Sequence, residues 1–79
     1  NNWITIYVDG DVKGKHHRPH VHAKIPGQDV SLFIDGDIAT FAAGFETLSP
    51  KDRRRIQEFV NQNIGDAKIE WERIHGTTE

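Results

Sequence analysis

Cysteine is absent from this 79-residue chain, and so is any apolar run long enough to span a membrane. Without cysteine the chain has no disulfide framework and no thiolate zinc site. A membrane-spanning helix needs about 18–20 consecutive apolar residues, so we expect no insertion into a membrane. No secretory signal peptide is visible either. These absences together predict a cytoplasmic protein.

Hydrophobic residues are also scarce, at 35% of the chain. We expect one domain over residues 1–79, and a domain of this size buries only about 60–65% of its unfolded surface. A core that small favours association, so we expect a homodimer or a small partner protein. The formal net charge of −2 argues against a broad nucleic-acid-binding surface, which leaves nucleic acid a weakly supported partner.

Charge and histidine are unevenly distributed along the chain. Residues 12–24 contain no acidic residue, and their four cations are Lys13, Lys15, Arg18 and Lys24. Four of the five histidines lie in the same stretch, namely His16, His17, His20 and His22. Histidine is the side chain most readily used as a metal ligand or proton carrier near neutral pH. If the protein has a site, we expect it here.

The first half of the chain alternates apolar and polar residues as β-strands do, over Trp3–Val8 and again over His20–Ile25. In the first strand this alternation puts Trp3 and Tyr7 on the face opposite the apolar residues. In the second strand it puts His20 and His22 on one face, about 7 Å apart along the strand. A fourth strand is expected over Ile38–Phe41.

The turn between the second and third strands predicts a register. Pro26-Gly27-Gln28-Asp29 fits a turn with Gly27 at a positive φ. Whether the loop is Gly27-Gln28 or all of Pro26–Asp29, Ile25 lies opposite Val30. Counting back from that pair, Val21 lies opposite Ile34. On the polar face the same register predicts two pairs, His22 with Phe33 and His20 with Asp35. A second turn at Gly36-Asp37 would lead into the fourth strand and pair Leu32 with Phe41 on the core side.

The second half of the chain is predicted to be helical. Ser49-Pro50-Lys51-Asp52 has an N-cap serine, proline at the first helical position and an acidic residue at the third. Apolar residues follow at helical spacing, at Ile56, Phe59, Val60 and Ile64. We expect Gly65 to end this helix and Asp66 to cap a second, short helix through about Ile74. The core residues expected in the second helix are Ile69, Trp71 and Ile74.

The expected fold class is α+β, a three- or four-stranded antiparallel sheet followed by two C-terminal helices packed on one face. The helices would cover the apolar face of the sheet. The face with the histidines would then stay open.

With these elements placed, the chain resembles a small prokaryotic family, domain of unknown function 4160, which is marked by a strand beginning H-x-P-P-H-F-H-A. The matching residues here are His17-Arg18-Pro19-His20-Val21-His22-Ala23. Further likeness lies in the strand ending at Asp35, in Gly44, in Leu48-Ser49-Pro50 and in Trp71. The likeness covers roughly residues 4–74, with Arg18 in place of the first proline and a longer stretch over residues 37–49.

This resemblance implies a bacterial or phage-borne protein that is often encoded beside another small gene, in a pairing that looks like a toxin–antitoxin module. It does not imply a reaction. The leading interpretation is therefore a protein-interaction module that acts through the His20/His22 strand face. On that face Trp3, Tyr7 and Phe33 would accompany the histidines, an unusual amount of aromatic surface for a monomer.

Two chemical alternatives remain open at the same residues. A metal-independent ribonuclease would use His20 and His22 as acid and base, with Asp35 orienting His20 and Arg18 stabilising charge. A zinc or nickel protein would instead use His20 and His22 as ligands, with His16 or His17 as a third. A purely structural role for the histidines also remains open.

Overall fold

The computed structural model describes residues 3–8 and 18–76, and every structural statement below concerns those residues. The four strands are β1 (Thr5–Tyr7), β2 (His20–Ile25), β3 (Gln28–Phe33) and β4 (Thr40–Ala43). The two helices are α1 (Pro50–Gln62) and α2 (Ile64–His75). The strands form one antiparallel sheet in the order β1-β2-β3-β4. This confirms the predicted α+β class.

The hydrophobic core lies between the sheet and the helices. Alternate residues of β2 and β3 are fully buried, because their side chains point to the face that the helices cover. The fully buried residues of largest volume are Val21, Val30, Leu32, Ile34, Ile56 and Val60. In the part of the chain that the structure describes, no helix has the length and apolarity to cross a bilayer.

The predicted register of β2 and β3 is wrong by two residues. Pro26 and Gly27 form the loop, so that Ile25 pairs with Gln28 and Val21 pairs with Leu32. Gly27 has φ 78°, which confirms its predicted positive φ. With proline before it, that φ gives the pattern of a type II turn. The predicted loop of Gly27 and Gln28 lies one residue too late in the chain. Each residue of β2 therefore pairs with a residue of β3 that is two positions earlier than predicted.

The start of β4 is held by α1. The Asn61 side chain accepts a hydrogen bond from the Ala39 backbone N–H at 2.7 Å, and the Gln57 amide donates to the Ala39 carbonyl at 2.6 Å. The predicted pairing of Leu32 with Phe41 is confirmed, although an irregularity next to it offsets the following pair to Ser31 and Ala43. The strand itself begins two residues later than predicted.

Helix α1 begins as the sequence predicts and ends earlier. Ser49 is the N-cap, and its hydroxyl accepts a hydrogen bond from the Asp52 backbone N–H at 3.1 Å. The helix ends at Gln62, with Asn63 between it and α2. Gly65, predicted to end α1, instead lies in the first turn of α2, which is where an acidic residue such as Asp66 is favoured by the helix dipole.

Helix α2 therefore presents a different face to the core from the one predicted. Trp71 is buried as expected, and Ile74 is half-buried. Ile69 is 66% exposed, whereas Ala67 is buried in its place. Ala67 and Trp71 are four residues apart in α2, so they lie on the same side of the helix, and this side faces the core.

Candidate functional site

Alternation along the strands places a set of polar and aromatic side chains on the sheet face away from the helices. We call this set the histidine face. Its members are Tyr7, His20, His22, Lys24, Asp29, Ser31 and Phe33. The register sets their neighbours, since His22 lies between Tyr7 and Ser31, and Lys24 lies opposite Asp29.

Asp29 holds two aromatic side chains of the histidine face together. The Tyr7 hydroxyl donates a hydrogen bond to one carboxylate oxygen at 2.5 Å, and Nδ1 of His22 lies 3.3 Å from the other. The Tyr7 and His22 rings are stacked, with centroids 5.0 Å apart and planes 15° apart. The three side chains thus form one cluster around a single carboxylate.

His20 is held by a different group, the backbone of the segment that leads into β2. Its Nδ1 lies 2.9 Å from the carbonyl oxygen of Arg18. Its ring contacts that of His22 edge-on, at 5.5 Å between centroids, and that of Trp71 in α2 at 5.2 Å. His20 therefore lies where the histidine face meets the helical layer.

Both contacts fix the position of a proton. A carboxylate oxygen and a backbone carbonyl oxygen only accept hydrogen bonds, so in each imidazole Nδ1 is the nitrogen that carries hydrogen. In the neutral form, Nε2 of His20 and Nε2 of His22 are then the basic nitrogens. Such an arrangement suits proton transfer through Nε2, and it also suits metal ligation through Nε2.

Arg18 and Asp35 form a separate pair at the end of the β2–β3 ladder. The guanidinium donates two hydrogen bonds to the carboxylate, at 2.6 and 3.0 Å. This hydrogen bonding lowers the pKa of Asp35 and raises the pKa of Arg18. The guanidinium also lies over the Phe33 ring, 3.7 Å from its centroid, a stacking geometry that arginine favours.

The predicted pairing of His20 with Asp35 is therefore wrong. The observed partner of His20 across the strands is Phe33, and the partner of His22 is Ser31. Asp35 faces Arg18 because the Ile34 N–H donates to the Pro19 carbonyl at 2.9 Å, which continues the ladder past His20. The carboxylate expected to orient His20 is consequently engaged elsewhere.

Trp3 is also misplaced by the prediction. It packs against the hydrophobic core, and the guanidinium of Arg55 in α1 lies 4.1 Å from its ring centroid. It precedes β1, so strand alternation does not determine its direction. Tyr7 and Phe33 remain as the two aromatic residues, besides the histidines, on the histidine face.

The metal-site prediction is only partly open to inspection. His16 and His17 lie outside the described residues. Within residues 3–8 and 18–76, no three histidine, aspartate or glutamate side chains come together as ligands. The candidate ligands with defined positions are His20 and His22, which approach each other through their rings.

A shallow cavity lies over the cluster of Tyr7, His22 and Asp29, and Ser31 and Gly44 complete part of its wall. Gly44 has φ 81°, and a Cβ built on it would lie 2.7 Å from the Asp29 carbonyl oxygen. Only glycine therefore permits this approach of β4 to β3. The loop is held further by the Gln28 side-chain amide, which donates to the Gly44 carbonyl at 2.8 Å.

Asp29 is the site residue that the sequence reasoning missed. The predicted turn over Pro26–Asp29 includes it, and a turn residue has no defined place on a sheet face. The signal that identifies it is Pro26-Gly27, because proline and glycine favour the two central positions of a type II turn. A turn at that position makes Asp29 a strand residue and brings it next to His22.

A family model described as domain of unknown function DUF4160 matches residues 3–72. The match covers nearly the whole chain, so the chain belongs to this family. No curated protein and no solved structure matches the chain.

Proposed function

We propose that this protein is a small interaction module that binds a partner protein through its histidine face. One observation carries the proposal, namely the asymmetry of the sheet. Helices α1 and α2 cover one face, whereas the other presents two stacked pairs, Tyr7 with His22 and Arg18 with Phe33. Tyrosine and arginine are among the residues most enriched at the energetic centres of protein interfaces.

The stacked pairs also favour binding because they are already ordered. Tyr7 is 40% exposed, yet its hydroxyl and ring are held by Asp29 and His22. Arg18 is likewise held by Asp35 and Phe33. A partner that buries these groups would immobilise few further side-chain rotamers, which lowers the entropic cost of association.

The partner that we propose is a small protein encoded beside this one, in a toxin–antitoxin-type pair. This follows from the gene context that the family resemblance implies and from the small core of the chain. The partner should offer apolar groups to Tyr7 and Phe33. A second copy of this chain is the competing occupant.

The test is calorimetric titration of the chain with the product of the adjacent small gene. Tyr7→Ala and Phe33→Ala should each weaken binding by about tenfold or more, as interface anchors do. Ile69→Ala is the matched control, since Ile69 is an exposed apolar residue on α2. It should bind as wild type does.

Two results would contradict the proposal. One is equal affinity in the face variants and in wild type, which would place the interface elsewhere. The other is a chain that is dimeric in sedimentation experiments and becomes monomeric with Tyr7→Ala. That result would make a second copy the occupant of the face.

A further inference from the structure

We propose that His20 and His22 form an acid–base pair that cleaves RNA by transfer of the phosphodiester to the neighbouring 2′-hydroxyl. The inference goes beyond the interaction module and does not depend on a partner. It also differs from the sequence-based ribonuclease hypothesis in its orienting groups. Asp29 orients His22, and the Arg18 carbonyl orients His20 in place of Asp35.

The first support is the fixed orientation of both imidazoles. Asp29 accepts from Nδ1 of His22 and the Arg18 carbonyl accepts from Nδ1 of His20, at 3.3 and 2.9 Å. Each ring therefore uses Nε2 for proton transfer. Fixing the tautomer and direction of a ring in this way is what a second residue does for a catalytic histidine.

The second support is the spacing of the two rings. A catalytic nitrogen must come within about 2.6–3.2 Å of the oxygen whose proton it moves. Ring centroids 5.5 Å apart allow one phosphate group to contact both imidazoles. A pair at this spacing therefore serves the attacking and the leaving oxygen of one phosphodiester.

The third support is the set of groups around the pair. Arg18 and Lys24 flank the histidines along the chain, and in the structure Arg18 is paired with Asp35 while Lys24 lies opposite Asp29. Cations of this kind hold the phosphate and stabilise the additional charge of the transition state. Tyr7 and Phe33 add aromatic rings on an open antiparallel sheet, a surface on which single-stranded bases stack.

The step needs no reagent beyond the substrate. His20 removes the proton of the 2′-hydroxyl through Nε2, and the 2′-oxygen forms a bond to phosphorus. The bond from phosphorus to the 5′-oxygen breaks, and the imidazolium of His22 donates a proton from Nε2 to that oxygen. The products are a 2′,3′-cyclic phosphate and a 5′-hydroxyl. His22 is assigned as the acid because Asp29 places a carboxylate beside it.

The test uses a pool of random-sequence RNA 12-mers and, as a second substrate, DNA 12-mers of random sequence with one central ribonucleotide. The wild-type chain should cleave both, and mass spectrometry should find 2′,3′-cyclic phosphate ends. All-DNA 12-mers should stay intact, because they lack the nucleophile. The rate should follow a bell-shaped pH profile, as expected for one acid and one base.

The variants separate this activity from a contaminant. His20→Ala and His22→Ala should each lower the rate by about 10²–10⁴-fold, the usual contribution of acid–base groups. His75→Gln, which lies in α2 and contacts Trp71, should keep the wild-type rate. Circular dichroism should confirm that the variants remain folded.

Asp29 is a positioning residue in this scheme, and Asp29→Asn tests that role. The rate at saturating RNA should fall while KM stays unchanged, because the His22 ring would no longer be held by the carboxylate. An unchanged rate at saturating RNA would remove Asp29 from the proposal. Absence of cleavage of the random RNA by wild type, or equal cleavage by His22→Ala, would overturn the proposal itself.

Discussion

The two faces of the sheet differ in how strongly they depend on strand register. On the core face, Val21 and Leu32 are fully buried, and a shift of two residues would still pair apolar side chains. On the histidine face the same shift replaces Ser31 with Phe33 beside His22. Alternation determines which side a residue is on, and register determines what it touches. The core face of the sheet is therefore predictable from alternation alone, whereas the contacts on the histidine face are not.

The largest expected effect is on the core face, at Leu32. Leu32→Ala removes a fully buried side chain and leaves a cavity, which should lower the free energy of unfolding by about 2–5 kcal/mol. Since domains of this size are marginally stable, the variant should be largely unfolded or melt far earlier. Urea denaturation followed by circular dichroism measures the change.

Ser31→Ala is the matched control, on the neighbouring residue and the opposite face. It should stay within about 0.5 kcal/mol of wild type, as substitutions outside the core usually do. Equal losses for Leu32→Ala and Ser31→Ala would contradict the division into a buried and an open face.

The next largest loss of stability is expected at Gly44, the residue after β4, where the backbone comes close to Asp29 in β3. Gly44→Ala puts a side chain on a residue with φ 81° and brings its Cβ to 2.7 Å from the Asp29 carbonyl oxygen. Left-handed backbone alone costs an L-residue about 1–2 kcal/mol. The additional contact should make the loss larger and should displace Asp29.

Gly27→Ala separates the two causes. Gly27 has φ 78°, but a Cβ there would meet nothing within 4 Å. Thermal melts should therefore rank the three chains as wild type, Gly27→Ala and Gly44→Ala, in falling order of stability. A Gly27→Ala variant that is the less stable of the two would show that the approach to Asp29 is not close.

The smallest effect concerns the exposed pair of Arg18 and Asp35. The pKa of Asp35 is lowered in the folded state, so the pair stabilises the fold above the ordinary carboxyl pKa of about 3.9. This contribution is lost as the pH falls through the lowered folded value. Asp35→Asn should thus lower the melting temperature slightly at pH 7 and not at pH 2. A difference that grows on acidification would contradict the sign.

Much of the fold was predictable because local signals agreed with the packing. Strand β2 has its predicted bounds, and Ser49-Pro50 marks the start of α1 through a side-chain cap and a preset φ. The end of α1 is harder to predict, because glycine such as Gly65 is found within helices as well as at their ends. As a result, Ile69 was predicted to face the core, whereas Ala67 is the residue that is buried there.

The candidate site was predictable in its location and not in its contacts. His20 and His22 share a face as alternation requires, and their rings are neighbours. Their orienting groups depend on the register of a two-residue turn and on a backbone carbonyl, and neither leaves a periodic signal in the sequence. Asp29 was missed for the first reason, and the Arg18 carbonyl for the second.

Nitrogen-15 NMR of the imidazole rings in wild type, Asp29→Asn and Asp35→Asn tests most directly which groups hold the two histidines. We expect hydrogen on Nδ1 of His22 in the neutral form, a change at His22 in Asp29→Asn, and no change at either histidine in Asp35→Asn. A response of His20 to Asp35→Asn, with His22 unaffected by Asp29→Asn, would contradict this expectation. That result would restore the other register and remove the cluster around Asp29.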